Sequence, residues 1–225
     1  MTDSIADSAA DRLGTVHETI GRTARNSGRA VADIELVAVS KTWPAEAISP
    51  LIAAGQRSFG ENRVAEAQDK WPGLRAATSG LRLHLVGQLQ SNKAAEAIAL
   101  FDVIHSVDRP SLVTALGRGI AAAGKAPDCF IQVNIGAEPQ KGGCAIGDLS
   151  GLLALARTER LPIAGLMCVP PADTEAAPFF ALLQKLARDH GVGGLSMGMS
   201  GDYETAVMLG ATVVRVGSAL FGGRQ

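Results

Sequence analysis

The chain has 225 residues, of which 47% are apolar and 19% are charged, and its formal net charge is −1. These values are typical of a globular protein with room for one large core. Because no run of basic residues occurs, the composition excludes nucleic acid or an anionic membrane as a partner held by charge. The apolar segments are far shorter than the roughly 20 residues that span a bilayer, and the N-terminus lacks a secretory-signal pattern.

The three cysteines, Cys129, Cys144 and Cys168, lie far apart, and their spacing matches no metal-binding pattern. A sparse, odd number of cysteines is typical of reduced thiols in the cytoplasm. We therefore expect a cytoplasmic protein whose cysteines are small buried or surface residues without reactive function.

The predicted elements begin with a helix over residues 5–25, whose apolar stripe includes Ile5, Leu13 and Ile20. Eight short apolar runs follow, separated by amphipathic stretches. The runs cover residues 34–40, 57–59, 82–86, 102–107, 129–135, 163–169, 194–197 and 212–216. Nearly continuous apolar runs are typical of parallel strands that are covered on both faces.

Helix boundaries are visible between the runs. Pro44 suits the first turn of a helix that ends near Gly55, because its missing N–H has no partner there in any case. Asp108 is predicted to cap the helix that begins at Arg109, since its carboxylate can accept from first-turn amides.

A leading helix and eight strand–helix units predict an α/β fold, a single (β/α)₈ barrel domain over residues 1–225. A doubly wound open sheet is the competing arrangement for this order of elements. In a barrel, chemistry lies at the C-terminal ends of the strands and in the loops that follow them. By this rule, the polar residues at the strand ends are the candidate site residues.

Lys41 directly follows the first apolar run. At a barrel mouth, apolar walls and nearby cations disfavour the ammonium form and favour the free amine that condenses with an aldehyde. A lysine that simply leaves a strand for solvent is the alternative, so the assignment needs a second signal.

That signal comes from two turns of small residues after the seventh and eighth runs. Backbone amides at such turns bind anions, and these loops form the usual phosphate site of a (β/α)₈ barrel. Ser200 and Ser218 add hydroxyl donors, and Gly217 permits close backbone approach. The alternative is that the glycines only make tight turns, with Asp202 and Ser218 as ordinary helix caps.

Arg215 lies two residues before Gly217 on the last run, so the two share a face. A buried arginine is costly without a partner, which indicates a ligand or a carboxylate. Opposite a pyridine nitrogen, its guanidinium would keep that nitrogen unprotonated. Asn62, in FGEN after the second run, can both donate and accept beside a ring hydroxyl.

Three further polar residues are weaker candidates. For His84 and His105, a structural hydrogen bond is a simpler interpretation than catalysis. Lys141 is either an exposed loop residue or a second contact to a phosphate or an aldehyde, and the sequence leaves both open.

Six segments together reveal a family resemblance. They are AVSKT at 38–42, FGEN at 59–62, HLVGQLQSNK at 84–93, VNI and KGG within 133–143, GLMCVP at 165–170 and LSMGMSGDYETAVMLGATVVRVGSALFG at 195–222. They resemble the pyridoxal 5′-phosphate (PLP) homeostasis proteins, which are related in fold to the N-terminal barrel of bacterial alanine racemases.

The resemblance implies a site for PLP. It implies an internal aldimine on Lys41, the phosphate among Ser200, Gly217 and Ser218, the pyridine nitrogen facing Arg215, and Asn62 near the ring. It also implies PLP binding and delivery without an established catalytic reaction, and a second vitamer contact at Lys141. The implied partners are PLP, other B6 vitamers and PLP-dependent apo-enzymes. A monomer is expected, since no dimerising second domain is present.

The chain departs from the family at Trp43, where members often carry a second lysine, so transfer of PLP between neighbouring lysines lacks its acceptor. A fold-type III PLP racemase or decarboxylase is the alternative function. Inversion needs a second acid–base group, and the only tyrosine, Tyr203, lies in a predicted helix. A class-I aldolase is a third hypothesis, although the lysine that forms the Schiff base in such enzymes more usually lies on a later strand.

Overall fold

The structure is a computed structural model that describes residues 8–222. Eight parallel strands form a closed barrel in chain order, in which β8 pairs with β1. The strands are β1 Glu35–Val39, β2 Ser58–Glu61, β3 Arg82–Leu85, β4 Val103–Val107, β5 Asp128–Gln132, β6 Ile163–Met167, β7 Gly194–Ser196 and β8 Val213–Val216. The predicted (β/α)₈ barrel is confirmed, and the open sheet is excluded.

Helices surround the barrel. They are α1 Ala9–Asn26, α2 Ala45–Ala53, α3 Val64–Ala77, α4 Ala94–Leu100, α5 Pro110–Ala123, α6 Leu149–Thr158, α7 Ala177–Asp189, α8 Tyr203–Met208 and α9 Ser218–Phe221. Helix α9 has only four residues and covers little of the barrel. Helix α1 packs against α2, α8 and α9 and completes the outer layer. Within residues 8–222, none of the helices is long and apolar enough to cross a bilayer.

Most predicted boundaries agree with the structure. The leading helix is α1, which begins with a capping box between Ser8 and Asp11, while Ile5 lies outside the described residues. The fifth strand ends at Gln132 rather than at residue 135, and the next residue, Val133, bridges to Cys144 in the following loop.

The predicted cap at Asp108 is wrong. Helix α5 has Arg109 at its N-cap and no side-chain capping bond. The Asp108 carboxylate instead contacts Nη1 of Arg109 at 2.7 Å and accepts from the Gly143 amide at 3.3 Å. Contacts with a distant loop have therefore replaced the local one.

Apolar residues form two clusters. The larger one fills the space between the strands and the helices. The smaller one comprises Val37, Val103, Phe130, Met167 and Val213, which come from five strands and lie inside the barrel. Side chains alternate along a strand between the inner and the outer face of the barrel. The other inward positions carry buried polar groups, and these lead to the site.

Candidate functional site

A cavity of about 510 Å³ lies at the C-terminal ends of the strands. All six predicted site residues line it, namely Lys41, Asn62, Ser200, Arg215, Gly217 and Ser218. The structure therefore brings together residues that are up to 177 positions apart in the chain. Sequence reasoning missed the apolar wall formed by Val39, Val86 and Val169, because a valine at a strand end carries no chemical signal.

Lys41 differs from the other lysines in its contacts. The chain has six lysines, and all of them lie within residues 8–222. Five of them donate a hydrogen bond to a carbonyl or carboxylate oxygen, whereas Nζ of Lys41 has no partner in that range. An unpaired amine at the edge of a cavity is available for a ligand.

The turn that carries Lys41 is held in place by α3. Nζ of Lys70 donates to the carbonyl oxygens of Ser40 at 3.0 Å and of Trp43 at 2.9 Å. The amide of Thr42, whose φ is 67°, donates to Oε1 of Glu66 at 2.5 Å. Since these bonds fix the backbone on both sides of Lys41, they restrict where its side chain can start. No local pattern predicted this role of Lys70 or Glu66.

Glu61, the last residue of β2, is fully buried beneath the same turn. Its Oε1 accepts from Oγ of Ser40 at 2.6 Å and from the Trp71 indole at 3.1 Å, and it lies 2.9 Å from Nζ of Lys70. Burial raises the pKa of the Glu61 carboxyl, although these contacts oppose the rise. Glu61 therefore supports the turn from within the fold and does not line the cavity.

Two loops supply hydrogen-bond donors on the opposite side. Oγ of Ser200 accepts from the amides of Gly217 at 3.1 Å and Ala219 at 3.4 Å, and so ties the loop after β7 to the start of α9. The amides of Ser200, Gly201 and Ser218 have no acceptor within residues 8–222. All three residues line the cavity, so this edge offers a cluster of unsatisfied donors suited to an anion.

Arg215 lies at the base of the cavity and is only 5% exposed. Its Nη1 donates to Oγ of Ser196 at 2.6 Å, and its Nη2 donates to the carbonyl oxygen of Cys168 at 2.8 Å. Burial lowers the pKa of this guanidinium. Among the described residues it forms no ion pair with a carboxylate, which leaves its remaining N–H donors for a ligand.

Asn62 and Trp43 complete the rim. The Asn62 side chain makes no hydrogen bond to any residue that the structure describes, so its amide can serve a ligand. The Trp43 indole stacks on the Phe221 ring with centroids 5.5 Å apart, and this links the turn after β1 to α9.

The remaining polar candidates lie away from the cavity. His84 and His105 are fully buried inside the barrel and hydrogen-bond to each other at 2.9 Å. Nζ of Lys141 donates to the carbonyl oxygen of Pro170 at 2.9 Å and contacts Oε2 of Glu138 at 2.7 Å. It lines a neighbouring cavity of about 470 Å³, which shares Val169, Met199 and Gly201 with the first.

The chain is similar to known proteins over almost its whole length. A family model described as the alanine racemase N-terminal domain matches residues 19–225. The pyridoxal phosphate homeostasis protein of Escherichia coli strain K12 is 38% identical over 226 residues, which cover 96% of this chain and 97% of that protein.

Solved structures show the same fold. PipY of Synechococcus elongatus PCC7942, solved with PLP bound, is 37% identical and has a TM-score of 0.83, with 95% of this chain and 100% of that chain covered. An alanine racemase of Clostridium difficile 630 has a TM-score of 0.71 at 15% identity, and the match covers 95% of this chain but 57% of the racemase. The likeness to the racemase therefore concerns the fold alone.

Proposed function

Because this chain belongs to the pyridoxal phosphate homeostasis proteins within the alanine racemase N-terminal-domain family, we propose that it binds PLP in the cavity at the barrel mouth and acts in intracellular PLP homeostasis and delivery. One observation carries the proposal. Lys41 is the lysine whose amine has no partner among residues 8–222, and it lies in the same cavity as an unsatisfied set of anion donors.

The donors fit the parts of PLP. The phosphate would be held by the backbone amides and hydroxyls of Ser200, Gly201 and Ser218. The free amides at this edge of the cavity support that assignment. PLP brings an aldehyde that condenses with a primary amine and releases water, and Lys41 would supply that amine. The valine walls would cover the faces of the ring.

Arg215 and Asn62 would orient the ring. A guanidinium only donates hydrogen bonds, so opposite the pyridine nitrogen Arg215 would keep that nitrogen unprotonated. Asn62 can donate to or accept from a ring hydroxyl, and its amide is unengaged in the described part of the chain. Both residues already face one cavity, so the protein would bind PLP without a large rearrangement.

The cavity favours a carrier over a racemase. The described residues that line it include Lys41 but no histidine, carboxylate, cysteine or tyrosine, the other side chains that commonly act as general acids or bases. Tyr203 lies in α8 and does not line the cavity. Inversion at a carbon needs an acid–base group on each face, and the described residues that line the cavity supply no second one.

Several finer features belong to the same proposal. Delivery to PLP-dependent apo-enzymes, and binding of other B6 vitamers near Lys141, would use the open rim between the two adjoining cavities. We place the protein in the cytoplasm, as three buried, unpaired cysteines support, and expect it to be a monomer. With Trp43 at the rim, release would not pass through a second lysine at that position.

Lys41→Ala tests the proposal, and Lys93→Ala is the matched control because Lys93 forms an exposed ion pair with Glu96. Each protein is incubated with PLP, and its visible spectrum is recorded. The proteins are then treated with borohydride and digested, and the modified peptide is found by mass spectrometry. We expect a lysine-bound absorption band and a modified Lys41 peptide in the wild type and in Lys93→Ala, and neither in Lys41→Ala. A wild type without a band, or modification of Lys41→Ala to the same extent, would contradict the proposal.

A further inference from the structure

Five polar side chains form one continuous line through the inside of the barrel. Nη1 of Arg215 lies 2.6 Å from Oγ of Ser196, which lies 2.8 Å from Nδ1 of His105. Nε2 of His105 lies 2.9 Å from Nδ1 of His84, and Nε2 of His84 lies 3.3 Å from Oε1 of Glu35 in a poorly aligned contact. The line therefore connects the base of the cavity to the other end of the barrel.

The two charged ends determine where each proton lies. A guanidinium only donates, so Ser196 accepts from Arg215 and turns its own proton to Nδ1 of His105. Burial lowers the pKa of His105 well below its usual value, so the ring is neutral, and because its Nδ1 accepts from Ser196, its proton lies on Nε2. That proton is donated to Nδ1 of His84, whose Nε2–H then faces the Glu35 carboxylate.

The reverse direction fails at both ends. If His105 carried its proton on Nδ1, the Ser196 hydroxyl would lose its acceptor in the line. In that direction Nδ1 of His84 would be the donor, and a lone pair on its Nε2 would face the Glu35 carboxylate, where two acceptors repel each other. The His105 ring is further fixed by Phe130, which stacks on it with centroids 4.7 Å apart and planes at 4°. One proton arrangement is thus favoured throughout.

We propose that Ser196 and His105 are positioning residues for Arg215. By holding Nη1 in one direction, they leave the other donors of the guanidinium aimed at the cavity before a ligand arrives. This inference rests on the proposed function, because its effect on binding requires that Arg215 contact PLP. It adds a role for two buried residues that do not line the cavity.

Ser196→Ala is the direct test, and Ser106→Ala is its matched control. Ser106 is equally buried on β4, next to His105 in the chain, and its Oγ has no hydrogen-bond partner among the described residues. Both variants remove one buried hydroxyl, but only the first interrupts the line. The first measurements use the protein without PLP, so they do not depend on the proposed function.

Nitrogen-15 NMR of the imidazole and guanidinium groups reports the proton positions. We expect both His84 and His105 to carry their proton on Nε2 in the wild type and in Ser106→Ala. Ser196→Ala should change the proton balance of His105 and speed rotation of the Arg215 guanidinium. A proton on Nδ1 of His105 in the wild type would overturn the proposal, as would an unchanged Arg215 signal in Ser196→Ala.

PLP titration then measures the effect on the site. Ser196→Ala should bind PLP about tenfold more weakly, the scale of one lost hydrogen bond to a charged group, while Ser106→Ala binds as the wild type does. Arg215→Met separates the two ideas. If Arg215→Met weakens binding but Ser196→Ala does not, the positioning role is wrong and the proposed function stands. If Arg215→Met binds PLP like the wild type, the arginine contact itself is wrong, and the positioning role falls with it.

Discussion

Glu35→Gln is expected to make the stability of the barrel less sensitive to acid. Glu35 begins β1 at the end of the barrel opposite the cavity, where Oγ of Ser58 donates to it at 2.6 Å and Arg82 contacts it at 3.4 Å. Burial by itself raises the pKa of this carboxyl, but the contacts with His84, Ser58 and Arg82 outweigh burial. They bring the pKa from 4.5 down to about 2.

The magnitude of the stabilisation by Glu35, and the pH range over which it is lost, follow from that pKa. A difference of about 2.5 pH units at 1.36 kcal/mol per unit amounts to about 3 kcal/mol, and because the Glu35 side chain is 26% exposed, solvent screening reduces this to about 2 kcal/mol. The folded state holds its proton less tightly than the unfolded state does. The stabilisation is therefore fully present above about pH 4.5 and is lost as the pH falls towards about 2.

The assay is urea unfolding followed by circular dichroism at several pH values between neutral pH and about pH 3. This range is chosen because the pKa of the Glu35 carboxyl is lowered in the folded protein. The wild type should be more stable than Glu35→Gln at neutral pH, and the difference should shrink by about 1 kcal/mol by about pH 3, with the remainder lost nearer about pH 2. Glu96→Gln is the control, since its exposed pair with Lys93 contributes little. A difference that stays constant with pH, or that grows in acid, would refute the reasoning.

Two further predictions concern buried groups near the site. Lys70→Met should lower the free energy of unfolding by about 3 kcal/mol, because it leaves the buried Glu61 carboxylate without its cation, and it should weaken PLP binding by loosening the turn at Lys41. Urea unfolding and PLP titration measure both effects, and a Lys70→Met protein that matches Lys93→Met in both would contradict the assigned role. Burial raises the pKa of the Cys129, Cys144 and Cys168 thiols to about 12, so a disulfide exchange reagent at mildly alkaline pH should titrate them only after denaturation. Rapid reaction of any of them in the native protein would be evidence against that burial.

The strands could be predicted from sequence because both of their faces are covered. Outward positions are largely apolar and several inward ones are too, so most strands are short runs rich in apolar residues, and all eight runs correspond to strands. The order of the strands also predicts the site residues, because functional residues in this fold lie at the C-terminal ends of the strands. This rule predicts Lys41, Ser200 and Gly217 as site residues, and all three line the cavity.

Local rules failed where a distant partner competed. Asp108 has the chemistry of a helix cap, yet it binds the Gly143 amide, 35 residues further along the chain. Val133, which follows the fifth strand, likewise pairs with a loop residue, Cys144. Neither partner could be read from the neighbouring residues.

The sequence by itself determined the order of strands and helices, the end of the barrel where the site lies, and six residues of its lining. Only the tertiary structure decided which of these side chains are free to bind. Lys41 and Nζ of Lys70 both lie at the turn after the first strand in the folded protein. Only Nζ of Lys70 donates to acceptors there, the carbonyl oxygens of Ser40 and Trp43. The line from Arg215 to Glu35 joins residues from five strands, and closure of the barrel brings them within hydrogen-bond distance. Hydrogen bonds depend on distance and direction in space, and separation along the chain fixes neither.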